Sequence, residues 1–433
     1  MPDRLLTEAP PSGEAKVRGE VTAPGGAADS GAVTAPVGKA LPDTVTVPGE
    51  PTALGAAASP EEAAVAVTAL VAGAADAWDR AGLLPVGLLR DLGAAGWLCA
   101  QVPAAYGGRG LTSAAGGAFT AHVGSLCSSV RSVLTSQGMA AWTIERLGTE
   151  EQRTAFLPRL TGGALAAAGF SERGAGSDLS AMTTQVRRDG DAVVLDGHKV
   201  WVTAAHYADL LVLFGRYEDD DAGAEGADGA VAVVVPADTP GVRVTRVADP
   251  LGCRAAGHAD IALDAVRVPA THVLGGSSLP LPLLVTTALA YGRMSVAWGC
   301  VGILRGCLTA AARHAATREQ FGVPLGEHQL VARHLAELFA AEQTATRVCE
   351  HASHCWDDGS PEQVVATVLA KHVSAGNAAR GAATAVQVLA SAGAQDGHLV
   401  ARAHRDAKLM EIIEGSNEMC QLMLARHVLG NTV

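Results

Sequence analysis

Aromatic side chains are scarce: they make up only 4% of a 433-residue chain that is 48% hydrophobic. The core must therefore be filled by small aliphatic residues, and the excess of alanine leans helical. Basic charge is also short. There are 32 Lys and Arg against 44 Asp and Glu, a net charge of −12. Nucleic acid would need a basic face and an anionic membrane surface a basic cluster, so neither partner is expected. No run reaches the roughly 18 uninterrupted apolar residues that span a bilayer. Met1-Pro2-Asp3-Arg4 opens no apolar signal segment, and the cytoplasm is the expected location. The eight cysteines show no CxxC spacing and sit mostly in apolar helical patterns, as buried reduced thiols do. One cluster, Cys349-Glu350-His351-Ala352-Ser353-His354-Cys355, offers metal ligands. On a helix, positions 351, 354 and 355 share a face while 349 points away. Helix-surface histidines and core cysteines are therefore expected there, and no metal.

What is present divides the chain into parts. Residues 1–58 are rich in Pro, Gly, Ala and Thr without apolar periodicity, and a disordered extension is expected. Ser59-Pro60-Glu61-Glu62 is a helix start: a capping serine, proline at the first position, acids in the first turn. Helical patterns then run to about 164, broken by turns such as Tyr106-Gly107-Gly108-Arg109-Gly110. From 165 to 272 the period changes to that of strands. A hairpin is expected across Ala192–Thr203, with further strands at Asp209–Phe214, Ala230–Val235, Val242–Val247 and Asp260–Val268. The acidic stretch Tyr217–Asp228 is expected as a solvated loop. Without βαβ alternation, a Rossmann sheet is excluded. From 273 to 433 long stripes return: Leu304, Cys307, Leu308, Ala311, Ala315; then Leu335, Leu338, Phe339; then Val364, Val365, Val368, Leu369, Val373. An antiparallel four-helix bundle with short joints follows. The fold class is α+β: helices, a barrel-like β domain, then the bundle.

The chemistry centres on Glu414. It follows Ile412-Ile413 and precedes Gly415, which allows a turn, and Ser416, which reads as the N-cap of another helix. The apolar side of that helix would be Met419, Leu422, Met423 and Leu429, with Ala425 beside it. A carboxylate on such a turn is poorly solvated, which raises its pKa toward that of a general base. An ordinary helix-end glutamate is the bland alternative. Upstream, Gly169-Phe170-Ser171-Glu172-Arg173-Gly174-Ala175-Gly176-Ser177-Asp178 could bring backbone close to a ligand, or be only a turn. The combination is more specific. This loop is followed in order by His198-Lys199-Val200-Trp201-Val202-Thr203, Arg318-Glu319-Gln320-Phe321-Gly322, Ala385-Val386-Gln387-Val388-Leu389 and Glu414-Gly415-Ser416.

With these motifs, residues from about 60 to 430 resemble the acyl-CoA dehydrogenase flavoprotein family. The resemblance implies FAD between the β domain and the bundle. It places Phe170, Ser171 and Ser177 on the flavin ring and pyrophosphate, Trp201 on the ring face and Thr203 near N5. Arg318 and Phe321 would reach the FAD of a neighbouring subunit, with Gln387 on the same cofactor and Ser416 and Glu418 near the rest of the dinucleotide. A homodimer or homotetramer is implied, and so is an electron acceptor that the sequence does not name. Glu414 matches the catalytic base. The position that carries the base in other members is Gly292, followed by Arg293 as a substrate-side helper. Departures are Arg173 for a usual proline, Ala390-Ser391 for a glycine pair, and Ala255-Ala256-Gly257-His258.

A narrower resemblance lies in Phe119–Ser129, Gly252–His258 and Ser295–Gly302. These stretches look like the dehydrogenases that make the methoxymalonyl-ACP extender unit of polyketide antibiotics. That branch implies a glycerate-derived acyl group on an acyl carrier protein, oxidised toward hydroxymalonyl-ACP. The competing expectations are a short-chain acyl-CoA 2,3-dehydrogenase and a flavin-free helical scaffold protein.

Overall fold

A computed structural model describes residues 53–218, 229–276 and 278–430. Ser59 caps α2 (Pro60–Val71), its hydroxyl accepting from the Glu62 N–H at 3.3 Å. Order begins earlier than the composition predicts, at α1 (Ala53–Ala56). Leu54 is buried there and its carbonyl accepts from Trp97 Nε1 at 3.3 Å. One anchored leucine holds this piece, a tertiary contact that leaves no periodic signal. Residues 1–52, the rest of the expected extension, lie outside the described residues. The helical first part continues through α3 (Ala75–Ala81), α4 (Val86–Ala94), α5 (Ser113–Leu126), α6 (Ser128–Leu147) and α7 (Glu150–Thr161). The central helix α6 is buried almost all round, yet it carries Ser128, Ser129, Arg131, Ser132, Thr135, Ser136 and Gln137 inside. So much hydroxyl and charge in an interior helix requires internal partners.

The middle part is one sheet of seven strands: β1 (Ala166–Gly169), β2 (Gln185–Asp189), β3 (Ala192–Val202), β4 (Leu210–Glu218), β5 (Ala230–Pro236), β6 (Val242–Arg246) and β7 (Ala259–Pro269). The path runs β1-β4-β2-β3-β7-β6, with β5 on β4. Alternation sorts β4 cleanly. Leu210, Val212 and Phe214 join the core beneath the helices, while Leu211 and Leu213 face a second core within the sheet. The expected hairpin across Ala192–Thr203 is wrong. β3 runs straight through Asp196-Gly197 with a bulge, and the chain reverses one Asp-Gly earlier, where Gly190 takes φ +64° between β2 and β3. Both dipeptides carry the same turn signal. Tertiary context decides, since a Cβ at Gly197 would lie 2.5 Å from Thr184 Oγ1. Tyr217 and Glu218, expected in the solvated loop, belong to β4, and Tyr217 is buried. Residues 219–228 of that loop lie outside the described residues.

The last part contains α8 (Leu281–Thr317), α9 (Gln329–Asp357), α10 (Gln363–Leu389), α11 (Leu399–Met410) and α12 (Asn417–Val428). The joint between α8 and α9 is longer than expected. It folds as a small hairpin, β8 (Glu319–Gln320) and β9 (Val323–Pro324), with Phe321-Gly322 at its tip in positive φ. Stripe residues Leu304, Cys307, Ala311, Leu338 and Val368 are buried as expected, but Phe339 is 57% exposed and Leu369 38%. On α12, Cys420 is the buried residue, while Leu422 is 52% and Leu429 75% exposed, against the expected burial of that side. Among the described residues α8 alone is long and apolar enough to cross a membrane, and 72% of its most apolar window is buried inside the fold. Helix α11 ties the parts together. Arg402 and Arg405 pair with Asp76 and Asp79 of α3, and the buried Asp406 accepts from the Cys253 N–H of the loop before β7 at 2.6 Å.

Candidate active site

The turn between α11 and α12 is strained. Glu414 takes φ +56° and Gly415 +88°. A non-glycine residue in that region costs on the order of 1–3 kcal/mol. Two buried cations offset it by binding the turn's carbonyls. Arg293 Nε donates to Glu414 O at 3.0 Å, and Lys371 Nζ donates to Gly415 O at 2.6 Å. Ser416 caps α12 as expected, accepting from the Met419 N–H at 3.4 Å. Although the residue is partly exposed, Glu414 Oε2 is sealed from solvent and has no hydrogen-bond partner. Its space is supplied by Gly292 of α8, where a Cβ would lie 2.2 Å from that oxygen. Burial raises the Glu414 pKa to about 7 against the pull of Arg293, Lys371 and Arg131.

Helix α6 links this turn to the sheet. Arg131 Nη2 donates to the thioether of Met410, at the root of the turn, at 2.9 Å. Five residues on, Ser136 Oγ donates to Thr203 O at 2.8 Å. Thr203 Oγ1 lies 3.2 Å from His258 Nδ1, and His258 Nε2 is buried without a partner. Burial, with Arg131 nearby, pushes the His258 pKa down to about 4, so the ring is neutral. Beside it Trp201, at φ +56°, leaves its indole 53% exposed.

The glycine-rich loop is fastened from below. Val200 N–H donates to Ser171 O at 2.9 Å, and Lys199 Nζ donates to Phe170 O at 3.2 Å. The buried Lys199 also pairs with Glu172 at 2.7 Å. Burial alone would raise the Glu172 pKa, but bonds from Lys199, Thr184 and Thr183 outweigh it and hold the carboxyl at about 2. The ring of Phe170 stacks on Phe214 at 3.9 Å in the core beneath the helices. Ser177 is exposed, and Cβ atoms at Gly174 and Gly176 would meet nothing within 4 Å. An open loop, an exposed flat ring and an unpartnered imidazole nitrogen beside a hydroxyl suit a planar, hydrogen-bonding dinucleotide such as FAD.

The structure thus brings Glu414, Arg293 and Ser416 together, and separately Phe170, Ser171, Trp201 and Thr203. Arg318, at the C-cap of α8, Phe321, at the tip of the β8–β9 hairpin, and Gln387, near the end of α10, are exposed; Phe321 is 95% so. Glu418 is exposed on the first turn of α12. Three residues were not singled out from sequence: Lys371, Arg131 and Ser136. A lysine inside the apolar stripe of α10 and an arginine inside α6 were the available signals. In the histidine–cysteine cluster, His351, Cys355 and Glu362 hold donor atoms within 4.8 Å of one another, while Cys349 turns away toward Ser374. A cavity of about 190 Å³ between Trp97, Trp142, Trp298 and Trp356 does not include Glu414.

Three family models match this chain: the N-terminal domain of acyl-CoA dehydrogenase over residues 60–164, the middle domain over 167–266 and the C-terminal domain over 283–429. A probable acyl-CoA dehydrogenase of Bacillus subtilis, YngJ, is 33% identical over 356 residues, covering 81% of this chain and 92% of its own. A solved structure described as FkbI, for biosynthesis of the methoxymalonyl extender unit of the Fk520 polyketide immunosuppressant, is 64% identical. It superposes with a TM-score of 0.80 over 85% of this chain and 99% of its own. A glutaryl-CoA dehydrogenase from Mycobacterium smegmatis, solved in complex with FADH2, is 26% identical with a TM-score of 0.79 over 86% and 95%. The chain belongs to the acyl-CoA dehydrogenase family and is an FAD-dependent oxidoreductase.

Proposed function

We propose that the enzyme oxidises a three-carbon, glycerate-derived acyl group, held as a thioester on an acyl carrier protein, toward the hydroxymalonyl thioester. The observation that carries this reading is the 64% identity to FkbI across 99% of that chain. The cytoplasm suits an enzyme whose eight cysteines are all buried free thiols.

Bound FAD supplies the two-electron acceptor. When it is bound, Trp201 would lie against its ring, Thr203 would bond near its reactive edge, and Phe170, Ser171 and Ser177 would hold ring and pyrophosphate. Arg318 and Phe321 would serve the cofactor of a neighbouring subunit, with Gln387, and Ser416 and Glu418 would lie near the rest of it. The exposure of Arg318, Phe321 and Gln387 on a single chain supports a homodimer or homotetramer. Backbone N–H groups hold the thioester carbonyl. For a hydrated C3 aldehyde, Glu414 Oε2 takes the hydroxyl proton while the C3 hydrogen leaves with its electron pair, and a carboxylic acid remains. Arg293 and Lys371 position that base by clamping its turn.

Anaerobic titration tests the reading. The bound flavin should bleach with 2-hydroxy-3-oxopropionyl-ACP and stay oxidised with butyryl-CoA. The reverse pattern would identify a short-chain acyl-CoA 2,3-dehydrogenase instead.

A further inference from the structure

Among the described residues, seven buried side-chain atoms lack a hydrogen-bond partner, and three belong to one region: Glu414 Oε2, His258 Nε2 and Arg131 Nε. Arg131 acts electrostatically on both of the others. It is 1% exposed and permanently charged. Its Nη1 donates to Thr135 Oγ1 at 3.2 Å and its Nη2 to a thioether, a weak acceptor, so the contacts on the page give this cation no carboxylate partner. A buried guanidinium left in that state is costly, and such groups are retained where something completes them. The fold makes room for it. At Gly299 of α8 a Cβ would lie 2.7 Å from both Cδ and Nε of Arg131. Thr135 is itself held by Ser295 Oγ at 2.7 Å.

Placement says what completes the site. Arg131 is anchored at the root of the Glu414 turn, and Ser136, five residues along, at Thr203. Five residues of helix rise about 7.5 Å, a span that a short acyl thioester would bridge between base and cofactor edge. His258, 7% exposed, offers its one unpartnered nitrogen on the Thr203 side.

We propose that Arg131 and His258, with Thr135, form a recognition site for oxygen at C3 of the acyl group: a hydroxyl, a hydrated aldehyde or the product carboxylate. This rests on the reading of the reaction given above. An alkyl end would leave Arg131 Nε and His258 Nε2 unpartnered, and sites of that kind reject analogues lacking the oxygen more strongly than apolar pockets reject an extra group.

The test uses the FAD-bound enzyme and non-reacting probes, with binding read from the perturbed flavin spectrum and from the thermal shift. Malonyl-pantetheine should bind the wild type about 100-fold more tightly than butyryl-pantetheine. In Arg131→Leu that preference should vanish, with flavin still bound and butyryl-pantetheine affinity kept or improved. Arg131→Lys should recover part of it, and His258→Gln should lose a smaller share. If both probes bind the wild type equally, or if Arg131→Leu weakens both alike, the inference is overturned whatever the reaction. If selective binding through Arg131 persists but 2-hydroxy-3-oxopropionyl-ACP leaves the flavin oxidised, the proposed reaction fails and this site stands.

Discussion

Glu414 is unusual at the scale of one residue because backbone and side chain are both held away from their comfortable states. Its φ is positive, and its Oε2 is sealed and unpartnered. Neither would persist without Arg293 and Lys371 on the turn's carbonyls and the missing side chain at Gly292. Burial leaves the carboxyl protonated below about 7 and ionised above it. Because the base must be ionised to accept a proton, kcat/KM should rise with pH through about 7 and then level off. A profile already flat from pH 5 upward would show that this carboxyl is an ordinary solvated one. The Glu-Gly-Ser pattern was legible in the sequence because its local chemistry is local. Lys371 was not, because its partners Gly415 and Asn417 lie more than forty residues away along the chain.

Elements show the same division between local and long-range signal. Ser59 and Ser416 cap their helices as read, since a cap is decided within four residues. The two Asp-Gly pairs could not be told apart, since crowding from Thr184 makes Gly197 a bulge and leaves Gly190 the turn. The outward residues Phe339, Leu369, Leu422 and Leu429 followed apolar periodicity without being buried in one chain. Periodicity reports an apolar face and not what covers it. The crossing of α5 and α8 depends on glycines with no sequence signature beyond their presence. A Cβ at Gly302 would lie 2.1 Å from Ala121 O. Gly302→Ala should therefore destabilise the protein by about 1–3 kcal/mol, measured by thermal or denaturant unfolding. An unchanged melting temperature would mean the two helices are less closely packed than the structure has them.

For the whole molecule, the order of helices, sheet and bundle followed from changes of period, and the family resemblance placed the site among them. The joining of the parts was not legible. It depends on α11, whose Arg402, Arg405 and Asp406 reach α3 and the loop before β7 across hundreds of residues. That joint sets the end of α11, and so the start of the Glu414 turn, against the sheet that presents Trp201 and Thr203. The account's central claim is that Glu414 takes the proton there. Its most direct measurement is anaerobic stopped-flow reduction of the bound flavin in Glu414→Gln, using the substrate that bleaches the wild type. The account predicts full FAD occupancy and reduction slowed by about 10²–10⁴-fold or more. Reduction within a few-fold of the wild-type rate would contradict it.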